Sequence, residues 1–402
     1  MGIFQEIPNT AGFPIHFKDI FLALNRREGL LEEDFKRYLG RDYARITCSG
    51  TAAFYFILET LKKLSDKKTV IIPAFICPLV PLAINQAGLK IKVVDTSGNS
   101  FDYDPAGLKA ACANETDILA VLSAHLGGIP SDLSIVSEAI KNKGIFLVED
   151  CAQSLGAEYK GRKAGLFGDF AFYSLCRGKG LTIYEGGVAV AKNNEFAKSL
   201  DRSISSLENR GFFSEALKTW ELLGYWLFYR PSLYWFVFRL PQAYWNLRKN
   251  SVRANGDYFG RELPRHRVSG FRKSIGHVTF NRLEEQIAKQ RAKADYYITS
   301  LKNIPGIKTI TEPAGSKATY PFITIVFDDL SLRQRKLKEL EKSGLGCAII
   351  YLNAITDYAY LKDIVPETAC PNAKTLARSH LSLSTSIFMD KKSIDRVLEL
   401  LQ

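Results

Sequence analysis

The sequence predicts an α/β protein with a large domain, built on a mostly parallel central sheet, and a smaller C-terminal α+β domain. Three observations predict it. Short apolar runs alternate with helical patterns through the first half of the chain. Long charged helices surround a single strong strand in the last third. At 402 residues the chain is long enough for two lobes, each with its own core.

Five runs rich in Val, Ile and Phe are the predicted strands of the large domain. They are residues 69–75, 90–95, 117–125, 144–150 and 169–175. Helical patterns lie between them, at residues 51–64, 77–88 and 131–144. Near-continuous apolar strands that alternate with helices are typical of a parallel sheet covered by helices on both faces.

The last third has a different texture. Residues 281–303 form a long amphipathic helical pattern, a strand is predicted at 320–329, and a helix at 332–344. The closing DKKSIDRVLELLQ predicts another helix with an acidic start. We therefore divide the chain into three parts: a large domain at 1–205, an aromatic-rich basic insertion at 206–275 and a small domain at 276–402.

Composition narrows the class of protein. Seven scattered cysteines without a C-x-x-C pair are typical of reduced thiols and predict neither a metal site nor a disulfide framework. The start of the chain lacks the pattern of a secretory signal, so we expect a cytoplasmic protein. The net charge is +12, and residues 210–273 hold twelve Lys or Arg against four Asp or Glu, which indicates an acidic partner. No nucleic-acid-binding signature accompanies this charge, so no nucleic acid is expected.

Several polar residues converge on the predicted end of the sheet. Asp150 ends the strand at 144–150, where the carboxyl ends of parallel strands form a ligand crevice. Ser174 ends the next strand, and Lys179 follows between two glycines. Gly50 and Thr51 open the helix at 51–64 and supply N–H groups suited to a phosphate. Each feature alone is more often a cap, a turn or a solvated side chain, but together they describe the minimum set for pyridoxal phosphate (PLP).

The motifs also resemble a known family. The segment VEDCAQSLGAEYKGRKAGLFGDFAFYSLCRGKGLTIYEGGVAVAKN closely resembles the core of the DegT/DnrJ/EryC1/StrS sugar aminotransferases, which have PLP fold type I. SGTAAF resembles their phosphate loop, and VIIPAFICPLVPLAINQAGLKIKVVD, HLGGIPSDL and CPNAKTLARSHLSLS also have counterparts. The resemblance covers about 45–200 and, more loosely, 276–402.

The resemblance implies a role for each matching position. Lys179 would carry the cofactor and shuttle the proton, and Asp150 would pair with the pyridinium nitrogen. Gln153 would lie against the cofactor ring. The phosphate would be held by Gly50, Thr51 and Ser174. Some relatives carry His in place of the lysine and act as dehydratases, so Lys179 favours the aminotransferase branch.

The chain also departs from the family pattern. Cys77 takes the place of the aromatic ring that usually stacks on the cofactor, and GFRKS (270–274) keeps Arg272 but lacks the Asn that commonly reaches the partner's phosphate. Candidate substrate contacts are His125, Arg177 and Tyr351. His125 and Tyr351 are also interpretable as packed core residues, since buried His and Tyr with one bonded tip are common.

The resemblance implies an aminotransferase that loads an amine from glutamate and passes it to a keto-sugar, nucleotide- or lipid-linked, in cell-surface polysaccharide or glycan biosynthesis. It also implies a homodimer. The alternative is a catalytically silent PLP-fold protein with a binding or regulatory role, which the loss of the stacking aromatic and of the Asn favours.

Residues 219–249 are not explained by the resemblance. They contain all four tryptophans, and eleven of the twenty-six residues from Trp220 to Trp245 are aromatic. Arg230-Pro231 interrupts the apolar run, so we expect two short helices, broken at Pro231 and ending by Pro241, rather than a membrane span. Three interpretations stay open: peripheral docking on the inner face of the cytoplasmic membrane, packing in a dimer interface or core, and a lid over the substrate.

Overall fold

A computed structural model describes residues 4–24, 29–205, 207 and 211–402. Within this part of the chain it has fourteen strands and sixteen α-helices. The strands are β1 (Ala44–Thr47), β2 (Thr69–Pro73), β3 (Lys90–Val94), β4 (Ile118–Ala124), β5 (Phe146–Asp150), β6 (Glu158–Tyr159), β7 (Arg162–Lys163), β8 (Phe170–Ser174), β9 (Gly187–Ala191), β10 (Ile307–Ile310), β11 (Ser316–Lys317), β12 (Phe322–Phe327), β13 (Cys347–Ala348) and β14 (His380–Ser384).

The helices connect and cover these strands. They are α1 (Phe17–Ala23), α2 (Leu30–Leu39), α3 (Gly50–Leu64), α4 (Leu79–Gln86), α5 (Pro105–Asn114), α6 (Leu133–Ile140), α7 (Asn194–Ile204), α8 (Phe212–Phe228), α9 (Pro231–Val237), α10 (Arg239–Leu247), α11 (Ser251–Asn255), α12 (Gly270–Phe280), α13 (Leu283–Leu301), α14 (Leu330–Ser343), α15 (Pro371–Ser379) and α16 (Lys391–Leu401). Three short 3-10 turns lie at Leu126–Gly128, Ile355–Asp357 and Ala359–Leu361.

The large sheet has seven strands in the order β1-β9-β8-β5-β4-β2-β3. The pairs from β3 to β8 are parallel, and β9 runs antiparallel to both of its neighbours. This confirms the predicted fold class of a mostly parallel α/β sheet. The five predicted strands all form within a residue or two of the expected positions, because long apolar runs of Val, Ile and Phe have few alternatives to a buried strand.

The smaller lobe carries a second, antiparallel sheet in the order β10-β12-β14-β13. Helices α13 and α14 pack against this sheet, and α16 packs against both helices. A three-stranded ribbon in the order β11-β6-β7 pairs a strand of the C-terminal lobe with two strands of the large domain, so the ribbon ties the lobes together.

The N-terminal segment runs between the lobes and connects them. The N–H of Ile7 donates to the carbonyl of Gly344 at 2.8 Å, and the N–H of Ala11 donates to that of Pro321 at 2.7 Å. Its side chains Ile7 and Phe13 are buried. The predicted limit between the large domain and the insertion lies between residues 205 and 206. Residue 206 lies outside the described residues, so the limit stays a prediction.

The prediction of two short helices in the aromatic segment is wrong, because the structure has three. The break at Pro231 is as expected, and Pro231 begins α9. Pro241, however, lies in the first turn of α10 and does not end a helix. A first-turn N–H has no partner within its helix, so proline costs little at that position. None of the described helices has the length and hydropathy that a membrane span requires.

A buried ion pair fastens α10 to the N-terminal segment. The guanidinium of Arg239 donates from Nε to Oε2 of Glu6 at 2.9 Å and from Nη2 to Oε1 at 3.0 Å. Arg239 also donates to the carbonyl of Cys347 at 3.2 Å. Burial raises the pKa of Glu6, and the hydrogen bond from Arg239 opposes this rise. The carboxylate is therefore stable in this position only with its partner present.

We predict that Arg239→Met lowers the free energy of unfolding by about 3–5 kcal/mol, because it leaves the Glu6 carboxylate buried without a countercharge. Urea unfolding followed by circular dichroism measures the change. Arg396→Met is the matched control, since Arg396 pairs with Glu399 at the surface and such pairs contribute less than about 1 kcal/mol. Equal losses in both variants would show that the buried pair does not anchor α10.

Candidate active site

The candidate active site begins at the carboxyl end of β5. Asp150 is the last residue of this strand and is buried. One carboxylate oxygen, Oδ1, accepts a hydrogen bond from the N–H of Ala152 at 2.9 Å. Burial raises the pKa of Asp150, and the positive charge of Lys179 opposes this rise. The charges of Asp150 and Lys179 therefore interact at the carboxyl end of β5.

Lys179 lies in a bend between β8 and β9, and its side chain is half-buried. The backbone before it has φ of +76° at Gly178, which only glycine adopts without strain. Tyr184, further along the bend, has φ of +70°. For a residue with a side chain this conformation is costly, and such strain is common at functional sites.

The N-terminal segment holds the lysine bend from outside the sheet. The N–H of Phe13 donates to the carbonyl of Lys179 at 3.1 Å. The hydroxyl of Thr10 donates to the carbonyl of Gly178 at 3.0 Å. The sequence contains no local signal for this contact, since Thr10 and Gly178 are 168 residues apart. It is the main contribution to the site that sequence analysis missed.

The start of α3 forms a cradle next to the lysine. Ser49 caps this helix: its hydroxyl accepts the N–H of Ala52 at 3.0 Å and its carbonyl accepts that of Ala53 at 3.0 Å. An α-helix does not use its first-turn N–H groups internally. Those of Gly50 and Thr51 can therefore bind an external anion. A methyl group on Gly50 would lie 3.1 Å from the Cβ of Ser174, so Gly50 and Ser174 are immediate neighbours.

Gly187, the first residue of β9, packs directly under this cradle. A Cβ built on Gly187 would lie 2.3 Å from the carbonyl carbon of Ser49 and 2.4 Å from the backbone nitrogen of Gly50. No side chain fits there. The turn that begins α3 is therefore set in place by β9, the strand that follows the lysine bend.

Two more candidate residues, Cys77 and Tyr351, are influenced by the charge of Asp150. Burial raises the pKa of Cys77 to about 11, with the charge of Lys179 lowering it and that of Asp150 adding to the rise. Tyr351 is buried, and its ring meets that of Phe75 edge-on with centroids 5.5 Å apart. Its pKa is raised by burial first and then by Cys77 and Asp150. Cys77 and Tyr351 thus both interact electrostatically with Asp150.

Gln153 follows β5 and is half-buried. Its side-chain oxygen accepts the N–H of Gly127 at 2.7 Å, so the 3-10 turn at the end of β4 orients the carboxamide. The interpretation of Gln153 as a residue beside the cofactor ring stays a prediction, as do the other assignments of individual site residues.

His125 is placed differently from what a substrate contact requires. Its ring is buried, Nδ1 accepts the N–H of Ser131 at 2.9 Å, and Nε2 therefore donates to Oε2 of Glu149 at 3.0 Å. Both ring nitrogens are occupied. This geometry favours the other interpretation, a packed core histidine, over contact with a substrate.

Glu149 is the partner of His125 and is fully buried. Its oxygens also accept the N–H groups of Gly165, Phe167 and Gly168 at 2.8, 2.7 and 2.6 Å. Burial alone would raise the pKa of Glu149, but these bonds and the one from His125 outweigh it and hold the pKa below its usual value. Ligand atoms of His125, Glu149 and Cys151 lie within 4.8 Å of one another, but the carboxylate is already committed to protein donors.

Arg177 lies in the lysine bend, two residues before Lys179. Its side chain is exposed and donates to the hydroxyl of Tyr184 at 3.3 Å. Arg272, retained from the family segment, is buried and donates to Glu215 from Nε at 2.6 Å and to the carbonyl of Glu185 at 2.6 Å. The neighbouring Lys273 pairs with Glu32 of its own chain at 2.6 Å, so it is not a free substitute for the missing Asn.

A buried carboxylate, a lysine and a helix-start cradle at the end of a mostly parallel sheet define a PLP enzyme of fold type I. The sequence model of the DegT/DnrJ/EryC1/StrS aminotransferase family matches residues 20–228 and 240–402. The chain belongs to this family and is a PLP-dependent aminotransferase by class. The match omits residues 229–239, in the middle of the aromatic segment.

Individual relatives are distant but extend along most of the chain. The chain is 22% identical to the UDP-4-amino-4,6-dideoxy-N-acetyl-beta-L-altrosamine transaminase of Campylobacter jejuni, over 91% of this chain and 86% of that protein. It is 24% identical to the GDP-4-keto-6-deoxy-D-mannose 3-dehydratase of Escherichia coli O55:H7, over 92% and 90%. The solved structure of DesV from S. venezuelae, in complex with a ketimine intermediate, superposes with a TM-score of 0.74 at 21% identity, covering 96% and 92%.

We predict that Gly187→Ala lowers the affinity for PLP at least about tenfold, since its methyl group must displace the backbone of Ser49 and Gly50. Spectrophotometric titration of the cofactor-free protein with PLP measures this. Gly98→Ala is the control, because a methyl group there meets nothing within 4 Å. Wild-type affinity in both variants would mean that the cradle at α3 does not hold the cofactor.

Proposed function

We propose that this enzyme transfers an amino group from glutamate to a keto-sugar used in the biosynthesis of a cell-surface polysaccharide or glycan. The observation that supports this best is the arrangement of Lys179 and Asp150 in one crevice beside the cradle of α3. The named relatives act on nucleotide-linked sugars, which supports a sugar as the acceptor.

The residues of the crevice suit PLP. Gly50, Thr51 and Ser174 would hold its phosphate, and the space that Gly187 keeps free of a side chain lets their backbone approach closely. Asp150 would hold the ring nitrogen in its protonated state. When bound, PLP supplies an electron sink for the carbon that gains or loses the amine.

Lys179 performs the proton transfers in this proposal. Its amine at Nζ takes a proton from one carbon and returns it to another, which is general acid–base catalysis. The bend that carries Lys179 is held by the hydrogen bonds from Phe13 and Thr10, so the amine has a defined starting position. Because Lys179 and Asp150 are both present, the site does not support the alternative of a catalytically silent protein.

A homodimer belongs to the same proposal. A cleft of about 560 Å³ lies between α2, the end of α7 and the start of α12, where Lys273 pairs with Glu32. Its lining has three basic and three acidic residues, so it would face a polar surface of the second subunit with charges of both signs. These residues are Arg45, Arg267, Lys273, Glu32, Asp201 and Glu215.

We predict that reduction of the purified enzyme with borohydride fixes PLP to the peptide that contains Lys179, because this lysine alone among the site residues carries an amine. Adding glutamate to the unreduced enzyme should shift the cofactor absorbance as the amine is loaded. Lys179→Ala should abolish both effects, whereas Lys109→Ala, at an exposed position of α5, should preserve them.

Peptide mapping by mass spectrometry identifies the labelled lysine. Labelling at another lysine would overturn the assignment of Lys179. The protein could also carry PLP on Lys179 and respond to another amine donor but not to glutamate. In that case the aminotransferase proposal stands and the proposed donor is wrong.

Membrane association is a further part of the proposal. Leu217 and Trp220 lie on one face of α8 and are exposed, and so are Leu240, Tyr244 and Leu247 of α10. A monomeric soluble protein rarely exposes so many large apolar side chains in neighbouring helices. This surface would lie at the head-group level of a bilayer, where tryptophan and tyrosine are favoured.

Arginines flank this apolar surface. Arg230 lies over the ring of Trp226, with its guanidinium carbon 5.0 Å from the centroid, and Arg248 lies over that of Tyr244 at 5.0 Å. Among the described residues, neither arginine has a carboxylate oxygen within 4.0 Å. Cations next to aromatic rings suit a surface of anionic lipids, to which each contributes roughly 1 kcal/mol.

We predict that the enzyme floats with liposomes that contain anionic lipid, and that Trp220→Gln combined with Leu247→Gln reduces the bound fraction at least about fivefold by removing apolar insertion. The matched control changes two exposed apolar residues elsewhere, Leu330→Gln and Ile387→Gln. If the enzyme does not float, or if the two double variants float equally, membrane docking is wrong. The apolar face is then better explained as an interface between proteins.

A further inference from the structure

A cavity of about 660 Å³ lies beside Lys179, and the aromatic insertion forms most of its wall. Thr10 of the N-terminal segment and Arg177, Lys179 and Tyr184 of the lysine bend also line it. Volumes of this order are typical of small-molecule sites. The aromatic rings that the insertion contributes to its lining are Tyr225, Phe228, Tyr229, Tyr234, Phe238 and Trp245. The insertion is therefore part of the active-site surroundings.

The tyrosines turn their hydroxyls away from solvent and onto the N-terminal segment. Tyr225 donates to the carbonyl of Phe13 at 3.2 Å, and Tyr229 donates to that of Thr10 at 2.8 Å. Tyr234 donates to the side-chain oxygen of Asn9 at 2.9 Å. With their polar ends engaged, these side chains offer ring carbon to a ligand, so this wall of the cavity is apolar.

Two arginines give the cavity a positive charge. Arg177 and Arg253 both line it, and the guanidinium carbon of Arg253 lies 4.8 Å from the ring centroid of Trp245. Among the described residues neither has an ion-pair partner within 4.0 Å, whereas Glu221, the acidic residue in the lining, pairs with Lys218 at 2.7 Å. Two guanidiniums without countercharges suit a phosphate-bearing ligand.

The cavity continues onto an exposed apolar surface. Val237 lines the cavity and is itself exposed, and its neighbours Phe236 and Leu240 are exposed as well. A ligand with an aliphatic chain gains from such a path, because the chain stays in contact with apolar surface as it leaves the cavity. The lining also has polar side chains, but Asn9 accepts from Tyr234, Gln242 accepts from Arg239 and Asn255 donates to Asp257. Few of their groups are left for the polar edges of a nucleoside.

We propose that this cavity binds the diphosphate and the first part of the chain of a lipid-linked keto-sugar. Arg177 and Arg253 bind the phosphates, the rings contributed by the insertion contact the chain, and the sugar is directed toward Lys179. The proposal rests on the proposed function, and it specifies that the acceptor is carried by a lipid and not by a nucleotide.

Isothermal titration of the PLP-loaded enzyme tests this with three soluble probes: farnesyl diphosphate, UDP and inorganic diphosphate. We expect farnesyl diphosphate to bind at least about tenfold more tightly than the other two, since only this probe has both a diphosphate and an apolar chain. Arg253→Gln and Trp245→Ala should each weaken its binding at least about fivefold. Arg248→Gln, which changes an arginine outside the cavity lining, should not.

The remaining outcomes count against the proposal. Tighter binding of UDP would assign the cavity to a nucleotide carrier, and equal binding of farnesyl and inorganic diphosphate would remove the role of the rings. Binding of farnesyl diphosphate that neither variant weakens would place the site elsewhere, provided both variants keep the thermal midpoint of the wild type. The glutamate-dependent absorbance shift of the unmodified enzyme, measured separately, shows whether the aminotransferase proposal holds independently.

Discussion

The buried carboxylate of Glu149 is the constraint on which the catalytic end of the sheet depends. A charge without access to water is tolerated only when protein donors replace its hydration, and four hydrogen-bond donors do so here. These bonds fix His125 at the end of β4 and the loop at 165–168. Successive side chains of a strand point to opposite faces, so fixing Glu149 on one face also directs Asp150 to the other.

The sequence predicts the parts of this architecture that depend on neighbouring residues. Apolar runs predict the central strands. They also predict that Asp150 and Ser174 lie at the carboxyl ends of their strands, and the structure has them there. Gly178 predicts a tight bend before Lys179, which its positive φ confirms. These features are local because hydrophobic periodicity and backbone permissiveness act over a few residues.

The rest depends on contacts between distant parts of the chain. Nothing near His125 indicates that both ring nitrogens are occupied, since Glu149 reaches it only once β4 and β5 pair. The placement of Pro241 inside a helix depends on where α10 begins, which its contact through Arg239 with the N-terminal segment helps to decide. The sequence leaves three interpretations open for the aromatic insertion, and nothing in it indicates that its tyrosines donate to backbone groups next to the lysine bend.

The contact between the N-terminal segment and Tyr229 has a consequence for how the chain folds. Gly12 and Tyr229 are 217 residues apart, and a methyl group on Gly12 would lie 2.3 Å from the tyrosine hydroxyl oxygen. Contacts of such long sequence separation form slowly, because a large loop must close first. During synthesis the N-terminal segment leaves the ribosome long before Tyr229 has been translated. The lysine bend is therefore completed late, after the insertion has been translated, and a nascent chain cut short before that point lacks a finished active site.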